Sequence, residues 1–82
     1  MASKHVRLTF EGDEVKRPLI YELGHEFNVI TNIRMADVGP TTGWVILEIE
    51  GDEDEIDKSL AWAREKGARV DEATLGDVVE GG

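Results

Sequence analysis

Asn32 and Arg34 stand two residues apart in FNVITNIRMADVGPTTGWVILEIEG, the stretch from Phe27 to Gly51. Residues two apart on a strand share a face, so a carboxamide that both donates and accepts lies beside a guanidinium that pairs with carboxylates. Parity on the following strand adds Trp44 and Ile46 to that face, and Ile30 joins from the first. Such a set suits a zwitterionic ligand with an apolar side chain: Arg34 for the carboxylate, Asn32 for both charged ends, Ile30, Trp44 or Ile46 over the side chain. Polar residues on a solvated face would account for Asn32 and Arg34 equally well.

Other residues of chemical interest lack partners. His5 and His25 are the two histidines, and neither has a second His or a Cys at metal-ligating spacing. The run Asp52–Asp57 resembles a calcium loop only until Ile56 and Asp57, which occupy positions where that loop needs a ligand and a glycine; helix capping and a solvated face explain it better. No Ser, His and acid set has a motif around it. The chain ends in Gly81–Gly82, as sulfur-carrier proteins do, and nothing else matches those proteins. Trp62 falls beside the buried stripe of its helix, where a lid over the core edge is expected. The residues therefore point to binding, with no enzyme chemistry, no metal and no cofactor.

Composition narrows the partners. A formal net charge of -9, from 9 Lys and Arg against 18 Asp and Glu, disfavours a nucleic-acid face. No apolar run approaches the roughly 18 residues that span a bilayer, and MASKHV carries no signal-peptide core. A cytoplasmic protein without membrane insertion is expected. At 82 residues without cysteine the chain is one domain resting on packing alone, near the size at which a second subunit helps. A homodimer is the expectation.

The elements that must hold the face come from an internal echo. EGDE occurs at Glu11–Glu14 and again at Glu50–Glu53, each time after an alternating apolar segment and before a helical one. Val6, Leu8 and Phe10 alternate with polar residues as a half-buried strand. Pro18 then suits a first helical turn, with Ile20, Leu23 and Phe27 as the apolar stripe. A strand from Val29 should turn Val29, Thr31, Ile33 and Met35 toward the helices and Ile30, Asn32, Arg34 and Ala36 away. In the second unit Val45, Leu47 and Ile49 face inward. Asp52 and Glu55 have the spacing of a capping box, Ile56, Leu60 and Ala63 form the buried stripe, and Gly67 suits the C-terminal left-handed position. Ala68–Asp71 closes the unit as a strand.

Two strand–helix–strand units give an α+β, ferredoxin-like βαββαβ fold: a four-stranded antiparallel sheet with two helices on one face and the other face open. A β-grasp fold would begin with a hairpin instead of a strand followed by a helix. The domain is expected over residues 5–72, with flexible ends at 1–4 and 73–82.

The residues VRLTFEGDEVKRPLIYELGHEFNV and TNIRMADVGPTTGWVILEIEGDEDEIDKSLAWAREKGARVDE resemble the NIL domain, a module named for an Asn-Ile-Leu motif at the C-terminal end of the ATPase subunit of bacterial methionine ABC importers. The motif stands here as Asn32, Ile33 and Arg34, with Arg in place of Leu. Pro18, Gly43, Gly51 and LAWAREKGARV also recur. The resemblance implies a dimeric sensor that binds methionine through Asn32 near the domain interface and inhibits transport. No G-x-x-x-x-G-K-[ST] occurs, so a freestanding regulatory copy is expected, not an ATPase. A transporter or a sulfur-metabolism enzyme would be its protein partner. An accessory or carrier role in sulfur-amino-acid biosynthesis, using the surface or Gly81–Gly82, is the alternative.

Overall fold

A computed structural model describes residues 1–73. The chain forms β1 (Ala2–Glu11), a short 3₁₀ turn (Gly12–Lys16), α1 (Leu19–Glu26), β2 (Val29–Val38), β3 (Thr42–Gly51), α2 (Glu53–Glu65) and β4 (Arg69–Glu72). The strands lie in the order β2-β3-β1-β4 and every neighbouring pair is antiparallel. This is the expected ferredoxin-like arrangement. The expected C-terminal tail, apart from Ala73, and the Gly81–Gly82 pair lie outside the described residues.

Alternation determines which side of the sheet is dry. Val6 pairs with Leu47 and Leu8 with Val45, so one face of the two central strands is aliphatic. The helices cover it: Leu19 and Leu23 of α1 and Ile56, Leu60 and Ala63 of α2 are buried with Val6, Leu8, Phe10, Val45, Leu47 and Ile49. Burial of this apolar surface is the main stabilising term. Trp62 sits at the core edge, half-buried, with its ring edge-on to Phe27.

Four local expectations change. First, β1 starts at Ala2, so residues 2–4 belong to the sheet. Ala2 pairs with Gly51 and packs against the core, while Lys4 reaches Asp57 of α2 at 3.2 Å. Second, the buried residues of α1 are Leu19 and Leu23, with Ile20 and Phe27 only partly covered, and Pro18 is the N-cap. Third, Asp52 occupies the N-cap of α2, but its side chain makes no capping bond. The Glu55 carboxylate accepts from the Asn28 backbone N–H at 3.0 Å instead, tying α2 to the start of β2.

The fourth change bears on the open face. The pairing of β2 with β3 slips between Ile33, opposite Leu47, and Met35, opposite Ile46, leaving Arg34 as an extra residue. A bulge of one residue inverts every side chain beyond it. Met35 therefore lies on the open face with Ile46, and Ala36 lies on the helix side with Val45. Both reverse the simple alternation read from sequence.

At the far end of α2 the chain leaves through Gly67 at φ +101°, and the Ala68 N–H returns to the Ala63 carbonyl at 3.1 Å. The Glu14 carboxylate fills the space where a Cβ of residue 67 would stand.

Candidate functional site

The open face is built in rows across the sheet. Ile30 pairs with Glu50 and Asn32 with Glu48 on one strand pair; Glu48, Ile46 and Trp44 meet His5, Arg7 and Thr9 on the other. All five residues singled out from sequence are on this face. They are not gathered around one point. Ile30 lies level with Glu50, six residues from Trp44 along β3, which at the rise of a strand is about 20 Å. No single small ligand touches both.

Their exposure also differs. Ile46 is only 2 % exposed despite facing away from the helices; Arg7 and Met35 flank it across the strands. It is a floor, not a contact. Trp44 is half-buried, with the Arg7 guanidinium 5.2 Å from the centre of its ring, so a cation already occupies one side of the indole. Ile30 is 61 % exposed.

What does converge is a polar cluster around Glu48. Arg34 Nη1 stands 3.9 Å from Glu48 Oε1, His5 Nε2 stands 3.7 Å from Oε2, and Ser3 Oγ donates to Oε2 at 3.3 Å. Asn32 is the cross-strand neighbour. The cluster thus offers an anion, a guanidinium and an amide within one row, with Met35 as the adjacent exposed apolar side chain. A zwitterion needs that pairing of charges. Sequence parity placed Glu48 outward, but its role as the centre of the group depends on where the bulge aims Arg34.

The edge beside this cluster is unusual. β2 is ten residues long at the rim of the sheet, with Ile30, Ile33, Met35 and Val38 exposed. The opposite rim, β4, is four residues long and carries Arg69, Asp71 and Glu72. Short, charged edges resist pairing with other chains; long apolar ones invite it. Among the described residues no helix is long and apolar enough to cross a membrane, and no group of three or more His, Cys, Asp or Glu side chains could hold a metal ion.

The profile of a family described as the NIL domain matches residues 4–72. The chain belongs to the NIL domain family. It is 31 % identical over 77 residues to the methionine import ATP-binding protein MetN of Bacillus subtilis, covering 89 % of this chain and 23 % of that protein. Against the protein of the same name from Mannheimia succiniciproducens it is 34 % identical over 70 residues, covering 80 % of this chain and 20 % of the relative. The NIL domain here thus spans under a quarter of the length of these relatives. The fold is shared with the crystal structure of the C-terminal domain of an ABC transporter ATP-binding protein from Enterococcus faecalis, with a TM-score of 0.78, 22 % identity, and 88 % and 84 % of the two chains covered. Asn32, Ile33 and Arg34, the residues that resemble the motif of this family, lead into the bulge.

Proposed function

We propose that this NIL domain is a non-enzymatic regulatory module that binds a small amino acid, methionine or a related sulfur metabolite, and acts as a homodimer on a transporter. The family and the methionine importers among its relatives support the ligand class and the partner. The observation that carries the reading is the Asn32, Arg34 and Glu48 cluster. Arg34 takes the α-carboxylate, Glu48 takes the ammonium, Asn32 bridges the two, and Met35 lies along the side chain in place of Trp44. This assignment uses only residues of one row and its neighbours. The long apolar edge of β2 supports pairing with a second copy beside the same cluster. A location in the cytoplasm, on the inner side of an importer, follows from the same reading.

Calorimetric titration of methionine, homocysteine, cysteine and leucine into wild type and Asn32→Ala tests it. Methionine should bind wild type with modest affinity, and the substitution should weaken binding about ten- to a hundredfold, as loss of a shielded charge-assisted hydrogen bond does. Equal binding to both proteins places the site elsewhere. No binding of any of the four at millimolar concentration removes the ligand and leaves the face as a docking surface for protein.

A further inference from the structure

His5 borders the amino-acid cluster without a part in it so far. It stands directly across from Glu48, on β1 against β3, and the two side chains are each 22 % exposed. The carboxylate is divided between its neighbours: Arg34 Nη1 lies near Oε1, whereas Ser3 Oγ and His5 Nε2 both lie near Oε2. At 3.7 Å the imidazole is too far from Oε2 for a direct hydrogen bond. That spacing leaves room for a third atom, because one nitrogen placed between them can lie about 3 Å from both. With its proton on Nδ1, a neutral imidazole presents a lone pair at Nε2. Oε2 and Nε2 are then two acceptors for a single ammonium group. A protonated imidazole has only donors, so it pairs with Oε2 and repels the ammonium.

The other charges on this face have partners of their own or lie a row away. Arg7, next along β1, stands over the Trp44 ring. Asp71, opposite Arg7 on β4, lies 3.1 Å from Arg69. Glu50 is level with Ser3. On the β4 side the Ala73 N–H donates to the His5 carbonyl at 2.9 Å, and both helices cover the opposite face of the sheet. Among the described residues, Glu48 and, beyond it, Arg34 are therefore the charges nearest the imidazole. Between about pH 8 and about pH 5.5 ordinary carboxylates stay ionised and guanidinium groups stay protonated. An imidazole, ordinarily near pH 6.5, is the side chain whose charge changes in that window.

We propose that His5 is a second recognition residue for the ligand's ammonium, accepting at Nε2 beside Glu48 Oε2, so that binding is linked to loss of a proton from His5. The inference rests on the proposed amino-acid site and adds a residue and a regulation to it. The domain then holds an α-amino acid at neutral pH and above and gives it up on acidification.

Calorimetry at the two ends of that window, with methionine and its des-amino analogue 4-(methylsulfanyl)butanoate, tests this. Methionine should bind wild type about tenfold more weakly at the acidic end, the loss of one charge-assisted hydrogen bond. The analogue, which has no ammonium, should bind there at least as tightly as at the basic end, because the imidazolium draws Glu48 away from Arg34. His5→Gln carries an uncharged acceptor in about the same place. It should bind methionine about as tightly as wild type does at the basic end, and equally at both ends. Near pH 6.5, in two buffers of different ionisation enthalpy, wild type should release a fraction of a proton for each methionine bound and His5→Gln none. A histidine with a merely structural role would release no proton. Equal methionine affinity of wild type at both ends, equal weakening of the analogue, or a pH dependence that persists in His5→Gln overturns the role of His5 and leaves the amino-acid site in place. No binding of methionine at either end removes the site and this inference together.

Discussion

Arg34 reaches from a bulged position on β2 to Glu48 on β3, Nη1 to Oε1 at 3.9 Å, with the arginine side chain 44 % and the glutamate side chain 22 % exposed. A long, partly solvated pair of this kind contributes at most about 1 kcal/mol. A ligand carboxylate that approaches more closely can take Arg34 from it, while Glu48 keeps Ser3 and His5. In the proposed reading the pair is a resting contact whose two halves would take the two ends of a zwitterion.

Glu48→Gln should therefore separate the two ends of the ligand. Methionine, which presents an ammonium, should bind about tenfold more weakly, the loss of one charged hydrogen bond. The des-amino analogue 4-(methylsulfanyl)butanoate should bind no more weakly than to wild type, because Arg34 is released. Calorimetry with both compounds checks this; equal weakening of the two would remove Glu48 as the ammonium partner.

Ile33→Lys tests assembly. Ile33 is 55 % exposed on the free edge, so a lysine there costs the single chain little, yet it places a charge where a second copy would pack. Sedimentation equilibrium at micromolar concentration should give twice the chain mass for wild type and the chain mass for the variant. A wild-type monomer up to near-millimolar concentration would eliminate pairing through β2.

Gly67→Ala should destabilise the domain. A side chain at φ +101° costs about 1–2 kcal/mol, and the methyl group would displace the Glu14 carboxylate. Chemical denaturation of Gly67→Ala alone and together with Glu14→Ala separates the two contributions. The second substitution should recover the steric part only, and no loss on Gly67→Ala would show that the turn accepts a Cβ.

Leu47→Ala probes the shared core. Leu47 is fully buried at the centre of the sheet, where such truncations cost about 2–5 kcal/mol. An 82-residue domain has about 4–12 kcal/mol in all. The variant should be largely unfolded or shifted far down in denaturant midpoint by circular dichroism.

Acid should weaken the junction of the 3₁₀ turn and α1. The hydrogen bonds from Arg17 hold the Glu22 carboxyl below its ordinary value, against a smaller opposing effect of desolvation, with further help from the charges of Arg17 and Lys66. A depressed carboxylate stabilises the folded state fully above its unfolded value, near pH 4.3. That contribution fades as pH falls through the lower folded value. Between neutral pH and about pH 5 it is constant. Wild type should lose more stability than Glu22→Gln on acidification below about pH 4, measured by thermal unfolding; parallel losses would mean the pair is too solvated to matter.

How much of this was legible in the sequence varies with the physics of each element. Val6, Leu8 and Phe10, like Val45, Leu47 and Ile49, lie on strands with neighbours on both sides, so burial enforces the period of two and parity reads correctly. The echo of EGDE placed both helices. Past Ile33, however, the edge strand answers to one neighbour only, and IRMADV contains no glycine to announce a bulge. Simple alternation consequently puts Met35 and Ala36 on the wrong faces. Parity also says which face a residue takes but not how far apart two residues stand or how deeply a neighbour covers them. For that reason parity groups Ile30 with Trp44 despite their separation and counts Ile46 as a contact although it is buried. Spacing does place Asn32 on the open face, opposite Glu48, but Arg34 reaches Glu48 from the bulge, which spacing alone does not show.

The unequal rims of the sheet set a valence. A sheet with two inviting edges is divalent and can add copies without end. Here β4 is short and charged, so among the described residues one copy has a single open bond to offer. Two chains meeting β2 to β2 would each satisfy the other's bond and leave none free. Assembly by this route would close at two, and a crowded compartment would hold pairs instead of fibres.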